Sequence, residues 1–599
     1  MRDQRARLTG WRAVGSAFVC YCLRLMRRLA IAASLLLLAT ATAQELRWNL
    51  PERGAARYQR DLRIESSVEP SSAHASTPWS MDAQAAVVLD GELDEKKKRI
   101  VEPLFDLRDV LPRLCLDLSQ TKQGKQSLQL RSVEVGVDID ATYGALQPDG
   151  SQSVEATFVD WNQKDLGKDR KHFPLVKGSL RGARKVDREN GRVQSFDGVI
   201  EIEAQWFDKP RTVRTTMRDA WTFLEVLEPK DAKVRTMVAE AIRKATESLQ
   251  KNLQRLCDPR EPNEDPYHDH HPGELALALL AIVKGGGDTK SDAVRSAYDN
   301  LRRRNIEGTY SLGAAILALE ALYTPAGEWQ AMRDGTIDAP MARKLSAEDF
   351  ALVSEWTKRL LDNLDTTTDP AYVRRYHYGP SKLWDNSTTQ YALLGLYGAQ
   401  LCGVEISPQV WSASAAHLLA CDRAVGKEAP LLITSHADRD RIEQGKKATR
   451  TGGKKVQPSG FGYQDGNDLT GSMTTAGVSG LSLCAAALRA QKKGSPKLLN
   501  DLDAGVRSGF AWLEQNLSVR RNPGPIHAWG SWNHYYLYGL ERACELNHVA
   551  WLGGRDWYFE GAMQLLGQQH TDGNWGDSIN TSFALLFLKK SALPAITGR

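Results

Sequence analysis

The chain has few cysteines, and their spacing suggests no metal or redox centre. Its 599 residues include eight Cys, and no two of them form a CxxC pair. Zinc knuckles and thioredoxin-like sites depend on such pairs, so neither is expected. Thiols set among Ala and Leu in helix-like runs behave as small hydrophobes. We therefore expect buried thiols, with one or two disulfide bridges left open, at Cys115, Cys257, Cys402, Cys421, Cys484 and Cys544.

Several signatures of known chemistry are also missing. The sequence contains no GxSxG nucleophile turn, no HExxH zinc motif and no phosphate-binding loop. The formal net charge of +5 comes from interspersed charges of both signs, without a basic stripe. Nucleic acid is therefore not expected as a partner. No cofactor is predicted.

The N-terminus is typical of a secretory signal peptide. A basic MRR at residues 26–28 precedes an apolar run at 29–38, and ATA at 41–43 forms an A-x-A site before Gln44. The run is shorter than the roughly 20 residues of a membrane-spanning helix. We predict a leader over residues 1–43 with its true start at Met26. The mature protein would then reach the periplasm or the cell exterior without a membrane span. An unusually long basic leader is the alternative.

Residues 44–228 predict a β-rich, sandwich-like domain. Apolar and polar residues alternate in several stretches separated by turn signals such as PDG and ENG, which is typical of antiparallel strands. Packing two such sheets would bury their apolar faces. No catalytic constellation is visible there, and a spacer, a docking surface and a carbohydrate-binding module remain open. The alternating stretches are 128–139, 153–159 and 198–207.

From Asp231 the hydrophobic period becomes helical. Apolar residues fall on one helix face between Val234 and Leu256. Six apolar runs come after it, separated by amphipathic segments such as 349–364 and 499–516, which suggests repeated helical hairpins. We predict an α/α toroid of about six hairpins over residues 229–599. The runs begin near Glu274, Gly313, Gln390, Thr475, Tyr535 and Thr581.

The repeat resembles a known clan of toroids. QQHTDGNW at residues 568–575 is similar to the Gln…Gly-x-Trp repeat of terpenoid cyclases. Together with WDNSTTQYA at 384–392, GFGY at 460–463 and GSMTTAG at 471–477, it resembles the squalene cyclase and protein prenyltransferase clan. The last three segments resemble a bacterial branch of that clan that is often exported and is frequent in planctomycete-type genomes. The resemblance covers roughly residues 265–595 and implies the α/α-toroid fold.

The catalytic motifs of that clan are not found. The helical region has no Asp-x-Asp-Asp of hopene-type cyclases, no Asp-x-Cys of prenyltransferases and no Gly-Cys-Gly-Glu-Gln thioester. The nearest acidic pair, Asp438 and Asp440, stands in a charged segment and lacks the second Asp pair. The resemblance therefore leaves it uncertain whether the protein is an enzyme.

The most metal-like run is His268-Asp269-His270-His271. Imidazoles are common metal ligands, but zinc sites usually draw ligands from separated pairs. The run directly precedes Pro272, so these residues can instead solvate and cap a helix N-terminus. We treat His268, His270 and His271 as metal candidates only and predict no metal.

Polar and aromatic residues precede several of the apolar runs. In a toroid the inner helices begin at one mouth, so these residues would ring one opening. The catalytic candidates are Asp385 and Asp577 as acids and His534 as a base, and helix capping is the simpler role for the carboxylates. The ligand-binding candidates are Trp384, Asn386, Tyr463, Asp465, Trp529, Trp532 and Asn580.

These patterns favour a non-catalytic binding or scaffold protein. Its mouth would hold a peptide, a glycan or a lipid-like molecule, or the partner would be an envelope protein. The alternative is an enzyme, either a divergent terpenoid cyclase-like protein or a polysaccharide-active lyase or hydrolase. Fold resemblance cannot choose between them because function resides in the site.

Overall fold

The structure is a computed structural model that describes about three quarters of the chain, including most of the region after residue 212. The predicted signal peptide lies outside the described residues. The described ranges are 55–69, 79–88, 93–94, 99–100, 111, 114–115, 124–131, 136–160, 175–189, 192–205, 212–258, 270–333, 336–337, 339–364, 375–379, 383–447, 455–524 and 532–590.

The chain divides into two compact units, a sheet unit and a helical unit. The main segment of the sheet unit ends at Arg235, and the helical unit takes most of the chain from Thr236 onward. Strand gives way to helix at the same place, since the last long strand ends at Leu227 and the first long helix begins at Ala232.

The sheet unit contains one eight-stranded antiparallel sheet with the order β2-β1-β10-β9-β8-β7-β6-β5. Among the described strands no second large sheet packs on it, so the structure has one broad sheet where we expected a sandwich. The strands are β1 (Ala55–Glu69), β2 (Trp79–Val88), the paired β3 (Leu93–Asp94) and β4 (Arg99–Ile100), β5 (Gly124–Arg131), β6 (Gly136–Tyr143), β7 (Ser151–Asp160), β8 (Leu175–Val186), β9 (Val193–Gln205) and β10 (Thr212–Leu227).

One face of this sheet is a hydrophobic core. Alternate residues of β1 and β6 to β10 are buried, as period-two patterning predicts. Tyr58, Phe196 and Trp221 form an aromatic group whose ring centroids lie 5.3–6.1 Å apart. Leu111, Leu114 and Cys115 belong to the same core. These three residues lie outside the long strands. They therefore cover part of the sheet face that a second sheet would cover in a sandwich.

The helical unit follows the predicted 3.6-residue period. The six helices that contain the apolar runs begin two to four residues before those runs, because polar first turns precede each run. The helices are α1 (Ala232–Cys257), α2 (His271–Gly285), α3 (Asp292–Arg302), α4 (Thr309–Leu322), α5 (Glu328–Arg333), α6 (Ala347–Asp362), α7 (Asn386–Leu401), α8 (Pro408–Cys421), α9 (His436–Glu443), α10 (Gly471–Ala490), α11 (Pro496–Asn516), α12 (Asn533–Leu546), α13 (Trp557–Gln568) and α14 (Ser578–Lys589).

The six apolar helices contact one another in a closed cycle. Helix α2 packs on α4, α4 on α7, α7 on α10, α10 on α12, α12 on α14, and α14 returns to α2. The amphipathic helices pack on the outside of this helix ring, with α3 on α2, α6 on α4 and α7, and α8 and α11 on α10. The ring helices are buried almost all round, which explains why their sequences lack a polar stripe.

Short strands join the loops of the helical unit. They pair as β11 (Arg423–Ala424) with β15 (Ser459–Gly460), β12 (Ala429–Pro430) with β14 (Lys455–Val456), and β13 (Ile433–Ser435) with β16 (Val549–Leu552). In the described residues, α10 is the one helix long and apolar enough to cross a bilayer, yet the whole apolar window is buried inside the protein. Such burial is what a core helix shows.

The six described cysteines are all free thiols. Five are buried and Cys257 is half-buried. Burial raises the pKa of Cys115, Cys402 and Cys421 to about 12 in each case, so these thiols stay protonated at neutral pH. The predicted buried thiols are present, and no disulfide bridge joins them.

Candidate functional site

The first turns of several ring helices meet at one end of the helical unit. The backbone N–H of Gly273 donates to Ser311 Oγ at 3.1 Å, which joins the start of α2 to α4. The Tyr310 hydroxyl reaches Asp385 Oδ1 at 3.4 Å, which joins α4 to α7. We call this end of the helix ring the mouth.

Asp385 is a carboxylate of the mouth that accepts several hydrogen bonds. It is completely buried and forms a capping box with Thr388 at the start of α7. Its Oδ1 accepts from the Thr388 backbone N–H at 2.6 Å and from the Thr388 hydroxyl at 2.7 Å. These contacts give the carboxylate a structural role, as the capping interpretation predicts.

Three tyrosines surround this carboxylate. Tyr310 donates to it, and burial followed by the charge and hydrogen bonding of Asp385 raises the pKa of Tyr378 to about 12. Burial and the same carboxylate raise the pKa of Tyr463 well above its ordinary range. The hydroxyls of Tyr378 and Tyr463 lie 2.6 Å apart. The phenols therefore stay neutral at physiological pH and act as hydrogen-bonding groups.

A second tyrosine pair lies deeper among the ring helices. The rings of Tyr391 and Tyr535 stack with centroids 6.4 Å apart. The Tyr535 hydroxyl donates to Gln390 Oε1 at 2.6 Å and lies 2.8 Å from Ser387 Oγ. These contacts fasten α12 to the first turn of α7 and leave Tyr535 with a defined orientation.

An aromatic and charged rim stands beside the start of α7. The Arg375 guanidinium lies 4.0 Å from the centroid of the Trp384 ring and forms a 2.7 Å ion pair with Asp465. Asn386 donates to the Gly462 carbonyl at 2.9 Å, which ties this rim to the loop that carries Tyr463. The structure thus brings together four of the predicted ligand-binding residues, namely Trp384, Asn386, Tyr463 and Asp465.

His417 supports this rim from α8. Its Nε2 lies 3.2 Å from Asn386 Oδ1, and its ring meets Trp384 edge to face at 5.3 Å. Burial, followed by the positive charge of Arg375, lowers the pKa of His417 to about 4. His417 is therefore a neutral, packed group at physiological pH and not a proton shuttle.

The predicted acid and base do not meet. His534 is buried at the start of α12, and burial, with the nearby His570 second, lowers its pKa to about 4. Within the described residues no hydrogen bond or ion pair joins His534 to Asp385 or Asp577. The catalytic pairing that we considered for these residues has no geometric support.

Asp577 and Asn580 serve the start of α14. The Asp577 side chain accepts from the Asn580 backbone N–H at 2.7 Å and from the Asn580 side chain at 2.9 Å. Asp577 is exposed, whereas Asp385 is not. The two predicted acids are thus both helix caps, in different surroundings.

The histidines of the metal-like run have other contacts. His270 meets the Tyr310 ring edge to face at 5.6 Å, and His271 Nδ1 lies 3.2 Å from an Arg304 nitrogen. His268 lies outside the described residues. No group of three potential metal-ligating His, Cys, Asp or Glu occurs among the residues that the structure describes. A positively charged guanidinium beside His271 also disfavours a cation there.

The remaining aromatic candidates differ in exposure. Trp532 is 57% exposed and caps α12 with left-handed backbone at φ 47°. Trp575 is fully buried, as expected for the residue of the repeat motif. Trp529 lies outside the described residues.

Sequence reasoning missed several residues of the mouth. Tyr310, Arg375, Tyr378, His417 and Tyr535 all contact the predicted group or one another. The aromatic and basic segment RRYHYG at 374–379 was a usable signal, because it precedes a predicted helix start. His417 had none, since it stands alone in an apolar helix.

Known proteins give little guidance to this chain. No family model matches it, and no curated protein does. Among solved structures, one described as "Lipid-protein interactions in lipovitellin" matches at 10% sequence identity with a TM-score of 0.19. The match covers 83% of this chain and 57% of that chain. A TM-score this low carries no argument about fold or function.

Proposed function

We propose that this protein is an exported, non-catalytic binding protein whose helical unit is an α/α toroid and whose mouth holds a glycan. The closed cycle of contacts from α2 through α14 and back to α2 supports the toroid. The sequence resemblance to the squalene cyclase and protein prenyltransferase clan points the same way. Export rests on the predicted signal peptide.

The observation that carries the proposal is the exposed ring of Tyr463. This side chain is 42% exposed, yet its hydroxyl is fixed by Tyr378 at 2.6 Å. An aromatic ring that is both accessible and rigid offers contact area at little entropic cost. The Arg375 and Asp465 ion pair stands beside it and offers donors and acceptors.

A glycan fits this surface better than the other ligand classes. Sugar rings have apolar faces that stack on aromatic side chains and hydroxyls that bond to charged groups. A wholly apolar ligand would offer no hydrogen-bond partner to Arg375 or Asp465. A peptide that binds by strand addition would need a free strand edge, and one that binds as an amphipathic helix would need a long apolar groove.

The test is binding of neutral oligosaccharides such as cellohexaose, chitohexaose and xylohexaose, measured by calorimetry. Tyr463→Ala should weaken binding about tenfold, because an aromatic contact contributes about 1 kcal/mol or more. Phe350→Ala is the matched control, since it removes an aromatic residue with the same 42% exposure from α6, away from the mouth. Equal binding by both variants and the parent would contradict a glycan site at Tyr463.

One observation favours an enzyme as the second candidate. Asp385 is a completely buried carboxyl group beside the phenols of Tyr310, Tyr378 and Tyr463, and catalytic acids often occupy such surroundings. Incubation with oligosaccharides and isoprenoids, followed by product analysis, separates the two. Turnover that is lost in Asp385→Asn, with the fold retained, would favour the enzyme.

A further inference from the structure

A separate cavity lies among the ring helices, away from the residues of the mouth. Its volume is about 60 Å³. A cavity needs roughly 15 Å³ to hold one water molecule, so this one has room for about four. Leucines from α2, α4, α7, α10 and α12 form the apolar part of its wall, and Lys284, Glu320 and Tyr397 line it as well. The lining leucines are Leu280, Leu317, Leu394, Leu401, Leu483 and Leu546.

The same cavity contains a buried guanidinium. Arg542 lines it from α12 and is 8% exposed. The guanidinium carbon lies 4.2 Å from the centroid of the Tyr538 ring, and one terminal nitrogen donates to the Tyr538 hydroxyl. The Nε–H is buried and has no hydrogen-bond partner. No carboxylate forms an ion pair with Arg542 in the described part of the chain.

The carboxylate of Glu320 lines the cavity as well, but it is already paired with other cations. Glu320 accepts from Arg343 Nε at 2.6 Å and lies 3.9 Å from Lys284 Nζ. Arg343 also pairs with Glu328 at 2.6 Å. Helix α12 also carries the buried carboxylates of Glu541 and Glu545, and Glu545 pairs with His436 and Lys590. Among the described residues Arg542 forms no ion pair with any of these carboxylates.

An uncompensated buried charge is costly. Removing a guanidinium from water without a counter-ion costs several kcal/mol, and proteins usually avoid this by pairing. Burial lowers the pKa of Arg542 only to about 10, so the side chain is still charged at neutral pH. An anion in the cavity would supply the missing partner.

We propose that this cavity binds a short aliphatic carboxylate, with its carboxylate on Arg542 and its hydrocarbon body against the leucines. A carboxylate matches the guanidinium in charge and in planar shape. The leucine wall gains from contact with methylene groups. The site is independent of glycan binding at the mouth and goes beyond it.

The test is a binding series of acetate, butyrate and hexanoate against the purified protein, with butanol and hexanol as uncharged controls. Calorimetry or ligand-observed NMR should show one site per chain and tighter binding as the acid lengthens, until the cavity is full. Each alcohol should bind at least tenfold more weakly than its acid. Equal affinity for acid and alcohol, or no binding of any acid, would overturn the proposal.

Two variants test the assigned residues. Arg542→Gln should weaken acid binding at least tenfold, whereas Arg507→Gln removes an exposed cation and should leave it unchanged. Leu483→Phe keeps Arg542 but fills the cavity, so it should reduce hexanoate binding more than acetate binding. Circular dichroism checks that each variant is folded. Acid binding that is insensitive to both Arg542→Gln and Leu483→Phe would place the ligand elsewhere.

Discussion

Two buried arginines, one in each unit, differ in their partners. In the sheet unit Arg60 and Asp219 are both buried and form a bidentate pair, with Nε and a terminal nitrogen each 2.8 Å from a carboxylate oxygen. In the helical unit Arg542 is buried without a carboxylate partner in the described residues. The Arg60–Asp219 pair therefore has no net charge and needs no further partner. The positive charge of Arg542 can be balanced by a bound anion.

This difference separates stability from function. A paired buried charge is fixed by its own protein, and breaking the pair costs more than the pair contributes. An unpaired one lowers stability and is retained where it has another use. The surroundings of Arg542 are therefore a place in which a ligand should be sought.

The largest expected effect is on the paired charge. Asp219→Ala leaves Arg60 buried without its partner and should lower the free energy of unfolding by about 3–5 kcal/mol. Arg542→Met is the matched change in the helical unit, and it should leave stability unchanged or raise it, because it removes an uncompensated charge. Chemical denaturation followed by circular dichroism measures both. A large loss for Arg542→Met would show that the two arginines do not differ in this way.

An intermediate effect is expected from pH. Burial holds the pKa of His417 and His534 near 4, below the ordinary value of 6.5. Between pH 6.5 and pH 4 the unfolded chain binds protons that the folded chain does not, so the helical unit loses stability as pH falls. The loss is complete near pH 4 and amounts to at most about 3 kcal/mol per histidine.

The sheet unit should respond at lower pH. Hydrogen bonding from Lys233 and then Arg57 keeps the pKa of Glu225 below its ordinary value of 4.5, so that contribution is lost only below about pH 4.5. Denaturation curves between pH 7 and pH 4 test this difference. His417→Leu and His534→Leu should flatten the dependence of the helical transition on pH. An unchanged slope in both variants would contradict the assignment.

The smallest effects are expected from the two helix caps, Asp385 and Asp577. Asp385→Ala should cost about 2 kcal/mol, because it leaves buried donors of α7 unsatisfied. Asp577→Ala should cost about 1 kcal/mol or less, since water can replace the cap of α14. Melting temperatures of the two variants give the order. A larger loss for Asp577→Ala would show that exposure does not decide the cost.

Local patterns made the helices predictable. The apolar runs predicted all six ring helices. Each helix begins two to four residues before its apolar run, and at three of them Asp385, Thr470 or Asp577 caps a polar first turn. The arrangement of the sheet was harder to predict from the sequence. Alternation predicted strands, but the pairing of β1 with β10 joins segments about 150 residues apart, and no local signal fixes such a pairing.

The site was predictable only where its residues are neighbours in the chain. Trp384, Asp385 and Asn386 are consecutive, and one helix start places them together. Tyr535 reaches Ser387 from 148 residues away. Arg542 stands among the residues of an apolar helix, and only the packing of five helices places it in a cavity. Such juxtapositions arise from tertiary packing, which one sequence does not encode locally.

The contact of α14 with α2 has a consequence for synthesis on the ribosome. Until residues 578–589 have emerged, α2 and α12 each lack one neighbour, and their apolar sides face water or a chaperone. An open array of repeats can fold from one end, but a closed ring gains its last interfaces together. Removal of α14 should therefore weaken more than one hairpin and leave a chain that aggregates during translation.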